Sequence, residues 1–224
     1  MLFHAFFLTL LIAMDLFSAQ SDHLPLSDGA CWLPGFALPV MDELWSCIAR
    51  HLHACPPQQM QTPMGYLMSV RTSSMGDWGW VSSALGYGYS HRQPLTQQPW
   101  PPIPAVVLQL ASAAALQAGY ANFVPDSCLI NVYTPGNKMG LHQDKDELDF
   151  SQPIVSVSLG IPATFLFGGA KRSDRPLKIL LHHGDIVVWG GCSRRFYHGV
   201  AQIKPASHPL TGQQRINLTL RKAR

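Results

Sequence analysis

Charge is what this 224-residue chain has least of: Asp, Glu, Lys and Arg make up 13% of it, against 47% hydrophobic residues. Disorder driven by self-repelling charge is therefore excluded for most of its length. The net charge of +3 permits a polyanionic partner without requiring one. Cysteine is also sparse, and Cys31, Cys47, Cys55, Cys128 and Cys192 form no C-x-x-C pair. An odd, scattered set excludes a disulfide framework and a zinc ribbon, and suits a reducing cytoplasm. Cys47, His51, His53 and Cys55 do lie close together. Helical spacing, however, turns His53 away from the face shared by Cys47 and His51, which argues against zinc there. Internal repeats and low-complexity segments are lacking, as is any apolar run long enough to span a bilayer. The apolar stretch 1–13 has no Lys or Arg before it and no small-residue cleavage site after it. It reads as an N-terminal extension or a misassigned start, not as a signal peptide.

What is present suits one domain over residues 14–224. Val40, Leu44, Ile48 and Leu52 recur every four positions behind Asp42 and Glu43, which predicts a helix over 38–53. A second helix is predicted after Pro104, through Val107, Leu110, Ala111 and Ala114, with Gly119 as its stop. Between them, residues 58–102 are rich in Gly, Pro, Ser and aromatics, a texture of irregular strands and long loops, and such loops usually carry function. Beyond Gly119 come short apolar or alternating runs at 128–133, 154–159, 164–167, 178–181, 185–189 and 215–221. That spacing predicts an antiparallel sandwich or barrel.

A strand, a Pro-Gly turn and then H-x-D follow one another from Asn131 to Asp144. In an extended segment His142 and Asp144 project to the same side and can meet one metal. His198, after an apolar strand, is the natural second imidazole. Two histidines and one carboxylate on one face leave the opposite coordination positions open, as non-haem iron(II) oxygenases require, whereas zinc is more often closed in. H-x-D alone is usually an ordinary loop element, so the remaining pattern has to carry the assignment.

The run 215–221 alternates strictly: Ile216, Leu218 and Leu220 face one way, and Arg215, Asn217, Thr219 and Arg221 the other. Taken alone it reads as an edge strand with a solvated basic face. In combination with the iron motif, two arginines roughly 20 Å apart along the strand and leaning inward leave a gap comparable to a short dicarboxylate. A guanidinium matches a carboxylate bidentately, and Asn131 and Tyr133 share one parity from which to add hydrogen bonds.

The N-x-Y-x-P-G run from Asn131 into H-x-D-x-D-E, the later Y-H-G ending at Gly199 and the closing R-x-N-x-T-x-R resemble the AlkB family, in order and spacing, from about Met14 to Arg221. The resemblance implies a mainly β protein with flanking helices. Its core would be a double-stranded β-helix (jelly roll) at about 125–224, preceded by an N-terminal helical region and a nucleotide-recognition lid at about 58–102. It implies His142, Asp144 and His198 as ligands of Fe(II), and Asn131, Tyr133, Arg215, Asn217 and Arg221 around 2-oxoglutarate. Thr62, Tyr66, Trp80, Tyr87, Asp146 and Arg172 would meet the substrate, Trp80 stacking on a flipped base and Asp146 reading its amino group. The implied reaction consumes O2 and 2-oxoglutarate, yields succinate and CO2, and hydroxylates the N-methyl carbon of lesions such as 1-methyladenine and 3-methylcytosine, so that formaldehyde leaves. Single- or double-stranded alkylated DNA, with RNA as a second substrate, would be the partner of a cytoplasmic monomer without a membrane role. The segment 81–85 lacks the basic and imidazole residues of the best-known bacterial relatives, which leaves open a related oxygenase acting on RNA, protein or a small molecule. A non-catalytic nucleic-acid-binding β-helix protein is the alternative from another class.

Overall fold

The computed structural model describes residues 23–224; the stretch read as an N-terminal extension lies outside them. Fourteen strands form three sheets among the described residues. The largest has eight strands, in the order β1 (Leu24–Ser27), β2 (Ala30–Leu33), β12 (Ile186–Trp189), β9 (Ile154–Gly160), β14 (Arg215–Arg221), β7 (Ser127–Tyr133), β4 (Leu67–Gly76) and β3 (Gln58–Gln61). Facing it is a four-stranded sheet of β11 (Leu177–Leu181), β10 (Ala163–Phe167), β13 (His198–Val200) and β8 (Met139–His142). The third sheet is the hairpin β5 (Gly79–Ser83) and β6 (Gly86–Ser90). All pairings are antiparallel. The large sheet thus draws on residues 24–33 and 58–76 as well as on the C-terminal half.

Strand β14 lies at the centre of that sheet, between β7 and β9, with all seven residues buried. Its alternation therefore divides two cores instead of separating core from solvent. Ile216, Leu218 and Leu220 join Ile130, Val132, Val155 and Val157 on the outer face, packed against α1 (Met41–Ala54) through Leu44 and Ile48, and α2 (Ala105–Gln117) through Val107, Leu110 and Ala114. Tyr133, Ile154, Phe165, Phe167, Trp189 and Val200 fill the space between the two facing sheets. The reading of 215–221 as an edge strand is corrected by this position: a basic face becomes an interior one once a second sheet covers it.

Helix α2 ends as its sequence suggests. Gly119 takes φ +89°, its N–H bonds Leu116 O and the Tyr120 N–H bonds Ala115 O, the paired closure of a Schellman motif. Gly160 is needed at the end of β9, where φ is +88° and a Cβ would collide with Gln214 O and Thr211 Oγ1 opposite the start of β14. In α1, His51 is buried and bonded through Nε2 to Ser73 Oγ at 2.9 Å, and Ser73 also donates to Cys55 O, so this cluster is a packed core contact. Among the described residues the one group placed to hold a metal ion is elsewhere, and no helix is long and apolar enough to cross a membrane.

Candidate active site

Strand β13 pairs with β8 in such a way that His198 and His142 are direct partners, and Asp144 follows two residues after β8 ends. The three ligand atoms lie within 4.8 Å of one another. His142 Nε2 and His198 Nε2 are each 3.7 Å from an Asp144 carboxylate oxygen, and the two rings are 4.4 Å apart. Both Nδ1 atoms face backbone carbonyls, Gly140 O at 2.9 Å and Phe196 O at 3.0 Å. A carbonyl only accepts, so each Nδ1 carries a proton and each Nε2 is the nitrogen turned toward the carboxylate. Burial, aided by the neighbouring His142, pushes the His198 imidazole down to about 4, so it is neutral and ready to ligate at neutral pH.

Asp144 would be pushed up by burial, but the Arg221 guanidinium holds its carboxyl well below the usual range. Arg221 donates to Asp144 Oδ2 from Nε at 3.0 Å and Nη2 at 2.7 Å, and its Nε also lies 3.4 Å from Glu147. Glu147 is buried, ion-paired with buried Arg194 at 3.1 Å, and accepts a hydrogen bond of 2.5 Å from the Tyr89 hydroxyl. This network of Asp144, Glu147, Arg194, Arg221 and Tyr89 joins the H-x-D loop to hairpin β5–β6. Glu147 stands in the quoted motif, yet no spacing rule announces its role, because its partners come from three distant segments.

Behind the triad lies a cavity of ≈ 460 Å³, lined by residues of β7, β8, β13 and β14 and reaching out to the hairpin. Arg215 forms part of its wall, 1% exposed, with Nη2 on Ser158 Oγ at 3.2 Å and its guanidinium 5.0 Å from the Tyr133 ring. Its Nε and Nη1 have no partner, and neither do Asn131 Oδ1 and Arg221 Nη1. Unsatisfied buried donors on a guanidinium that burial already disfavours suit a bound carboxylate. Asn217 differs from expectation: Nδ2 is bonded to Ser156 Oγ and Val157 O, and Oδ1 accepts from Thr219, so its amide is spent within the sheet. Arg221 also differs, because two of its N–H groups are committed to Asp144, and the two arginines do not form a matched clamp.

Trp80, Tyr87, Asp146 and Arg172 all line the cavity. Trp80 and Tyr87 stack at 5.5 Å, nearly parallel, and the Trp80 indole N–H donates to Asp146 Oδ2 at 3.0 Å. Thr62 and Tyr66 are not brought there. They close their own turn between β3 and β4, with Thr62 N–H on Tyr66 O and Tyr66 N–H on Thr62 Oγ1, and Tyr66 is 68% exposed. Those bonds within the turn aim the Tyr66 ring at solvent.

Two imidazoles and one carboxylate at the mouth of a double-sheet barrel, backed by an anion-seeking arginine, are the ligand set of a non-haem iron(II) oxygenase. Comparison with known proteins agrees: residues 29–221 match the 2OG-Fe(II) oxygenase superfamily. The alpha-ketoglutarate-dependent dioxygenase AlkB of Salmonella typhimurium is 51% identical over 94% of this chain and 98% of its own, and that of Escherichia coli 50% identical over the same shares. The solved structure of OsALKBH1 superposes with a TM-score of 0.71 at 32% identity, covering 88% of this chain and 99% of that one. The chain belongs to the AlkB family, and it is a dioxygenase that uses Fe(II) and 2-oxoglutarate.

Proposed function

We propose that the substrate is an N-alkylated nucleobase in DNA, with RNA as a second polymer, and that the product is the restored base with release of formaldehyde. The observation that carries this reading is the aromatic hairpin over the triad: Trp80 stacked on Tyr87, its indole bonded to Asp146, all on the wall of the cavity that contains His142, Asp144 and His198. A base taken out of a strand needs a flat apolar surface in place of lost stacking and a polar group at its edge. Trp80 supplies the first and the Asp146 carboxylate, an acceptor, the second. Arg172, exposed at the rim, is suited to a phosphate.

His142, Asp144 and His198 would hold the iron, whose contribution when bound is the oxidising chemistry that couples 2-oxoglutarate decarboxylation to hydroxylation of the N-methyl carbon. Arg215, with Nε and Nη1 unpartnered, would take the distal carboxylate of 2-oxoglutarate on one edge of its guanidinium, with Tyr133 and Asn131 alongside. Arg221, through Nη2 and Nε, keeps Asp144 ionised and aimed. The Nδ1–H of each histidine is held by the Gly140 and Phe196 carbonyls, which leaves Nε2 as the nitrogen that would ligate. Apolar walls from Phe165, Trp189 and Val200 keep bulk water from the reacting carbon.

The test is a panel of single-stranded oligonucleotides carrying 1-methyladenine, 3-methylcytosine or no lesion, with Fe(II) and 2-oxoglutarate. Formaldehyde and succinate in equal amounts are expected from the methylated strands. Succinate that no methylated strand stimulates, together with no formaldehyde, would refute the nucleobase assignment while leaving the oxygenase intact.

A further inference from the structure

Arg224 stands three residues past the strand that carries Arg215 and Arg221. Its backbone is fixed. The Asp126 carboxylate accepts from the Ala223 N–H at 2.6 Å and the Arg224 N–H at 3.2 Å, and lies 3.1 Å from Lys222 Nζ. Thus held, the Arg224 guanidinium lies 5.4 Å from the Trp78 ring and 5.3 Å from the Tyr89 ring, inside cation–π range of both. Its Nη1 donates to the Asp146 backbone carbonyl at 3.1 Å. Trp78 leads into β5, Tyr89 belongs to β6, and Asp146 belongs to the loop of the iron triad. One side chain therefore touches both walls between which the Trp80–Asp146 hydrogen bond is made.

We propose that Arg224 is a positioning residue for substrate, which clamps hairpin β5–β6 to the loop of residues 144–147 and so sets the spacing of Trp80 and Asp146. The register makes the coupling direct. Trp80 is the cross-strand partner of Tyr89, so a shift of the Tyr89 ring shifts Trp80. Tyr89 is tied at its other end by its hydroxyl bond to Glu147, which leaves the Arg224 contact to fix the face of the ring. A guanidinium suits this post because its planar fork can lie against aromatic rings while an edge N–H reaches the carbonyl, a combination a lysine ammonium does not offer. The consequence for substrate affinity rests on the reading of the hairpin as the base-binding lid.

The experiment uses the full chain and compares wild type, Arg224→Ala and Arg224→Lys by two readouts. Hydrogen–deuterium exchange follows peptides spanning 79–90, 127–133 and 215–221 in metal-free protein, and steady-state kinetics follow a 3-methylcytosine oligonucleotide. In Arg224→Ala, exchange at 79–90 is expected to quicken by about tenfold, as loss of roughly 1.4 kcal/mol gives, with 127–133 and 215–221 still protected. The oligonucleotide KM rises several-fold, and the change falls on KM more than on kcat. Arg224→Lys recovers part of both. Unaltered protection at 79–90 in Arg224→Ala overturns the clamp, and so does loss of protection spread equally over all three peptides, which marks a general stability role. A loosened hairpin with an unmoved oligonucleotide KM upholds the clamp and refutes the hairpin's part in binding the base.

Discussion

Replacing Arg215 by Met should make the protein blind to 2-oxoglutarate without weakening the fold. The guanidinium is 1% exposed, and its Nε and Nη1 have no partner. Hydrogen bonds to a charged group are worth about 1.5–3 kcal/mol each, so a carboxylate held by two N–H groups on one edge of the guanidinium contributes on the order of 3–5 kcal/mol. Its loss raises the dissociation constant by at least about a hundredfold, at 1.4 kcal/mol per factor of ten. Thermal unfolding of the Mn(II)-loaded protein with and without 2-oxoglutarate reads this directly. At a ligand concentration near one hundred times the wild-type Kd, binding stabilises the native state by about 2.7 kcal/mol. A chain of this size gains about 2–4 °C in Tm per kcal/mol, so a shift of about 5–10 °C is expected. In Arg215→Met the same concentration barely reaches Kd, and the shift falls to about 1 °C. The ligand-free Tm of the variant should equal or exceed that of wild type, because a buried guanidinium with two unpartnered nitrogens gives way to an apolar chain. A full ligand-induced shift in Arg215→Met would remove Arg215 from the cosubstrate site.

His142→Ala, Asp144→Ala and His198→Ala should each abolish succinate formation; full turnover in any of them with stoichiometric Fe(II) would refute the triad. Trp80→Ala should raise the KM for methylated oligonucleotides by about one to two orders of magnitude, since stacking on an aromatic is worth roughly 1–3 kcal/mol per base. Uncoupled 2-oxoglutarate consumption should continue, and a lowered Tm with unaltered oligonucleotide affinity would make Trp80 a packing residue instead. Acid unfolding should report His51, whose imidazole burial pushes down to about 4. Between an unfolded pKa of about 6.5 and that value the unfolded chain binds a proton that the native one refuses, so stability falls as pH drops through this window, by up to about 3 kcal/mol. His51→Gln should flatten the slope, read from urea midpoints between pH 7 and 4.5, and an unchanged slope would refute the assignment.

Much of the fold could be read from periodicity, because most C-terminal strands are buried and each announces itself as a short apolar or alternating run. The range 128–133 and Ser127–Tyr133 are in effect one strand, and 215–221 agrees at both ends. Strands β1 and β2 and the short β8 and β13 escaped because, unlike the equally short Ile-Val-Val-Trp of β12, their three or four residues carry no β-branched run to mark them. Strand β4 escaped for a different reason. Its Ser-Val-Arg-Thr-Ser-Ser sequence looks like loop, yet Thr72 and Ser74 face an interior that is polar at this point, so the usual contrast between core and surface is absent.

The site was legible where one residue type at one spacing sets both the chemistry and the geometry, as in His142, Asp144 and His198. It was less legible where identical side chains on one face have different duties. Arg215 and Arg221 share a strand, a parity and nearly complete burial. Parity states which face a side chain leaves by, but the partner it meets depends on which loop closes over that end of the strand. At the Arg221 end the loop 144–147 delivers two carboxylates, Asp144 and Glu147, and the guanidinium is drawn to both. Near the Arg215 end the cross-strand residues are Gly160 and Tyr133, neither with a charge to offer, so two donors stay free. A buried guanidinium that the fold itself does not satisfy is costly to keep. A carboxylate bound there, as proposed for 2-oxoglutarate, would recover that cost and tie the stability of this end of the sheet to the presence of the cosubstrate.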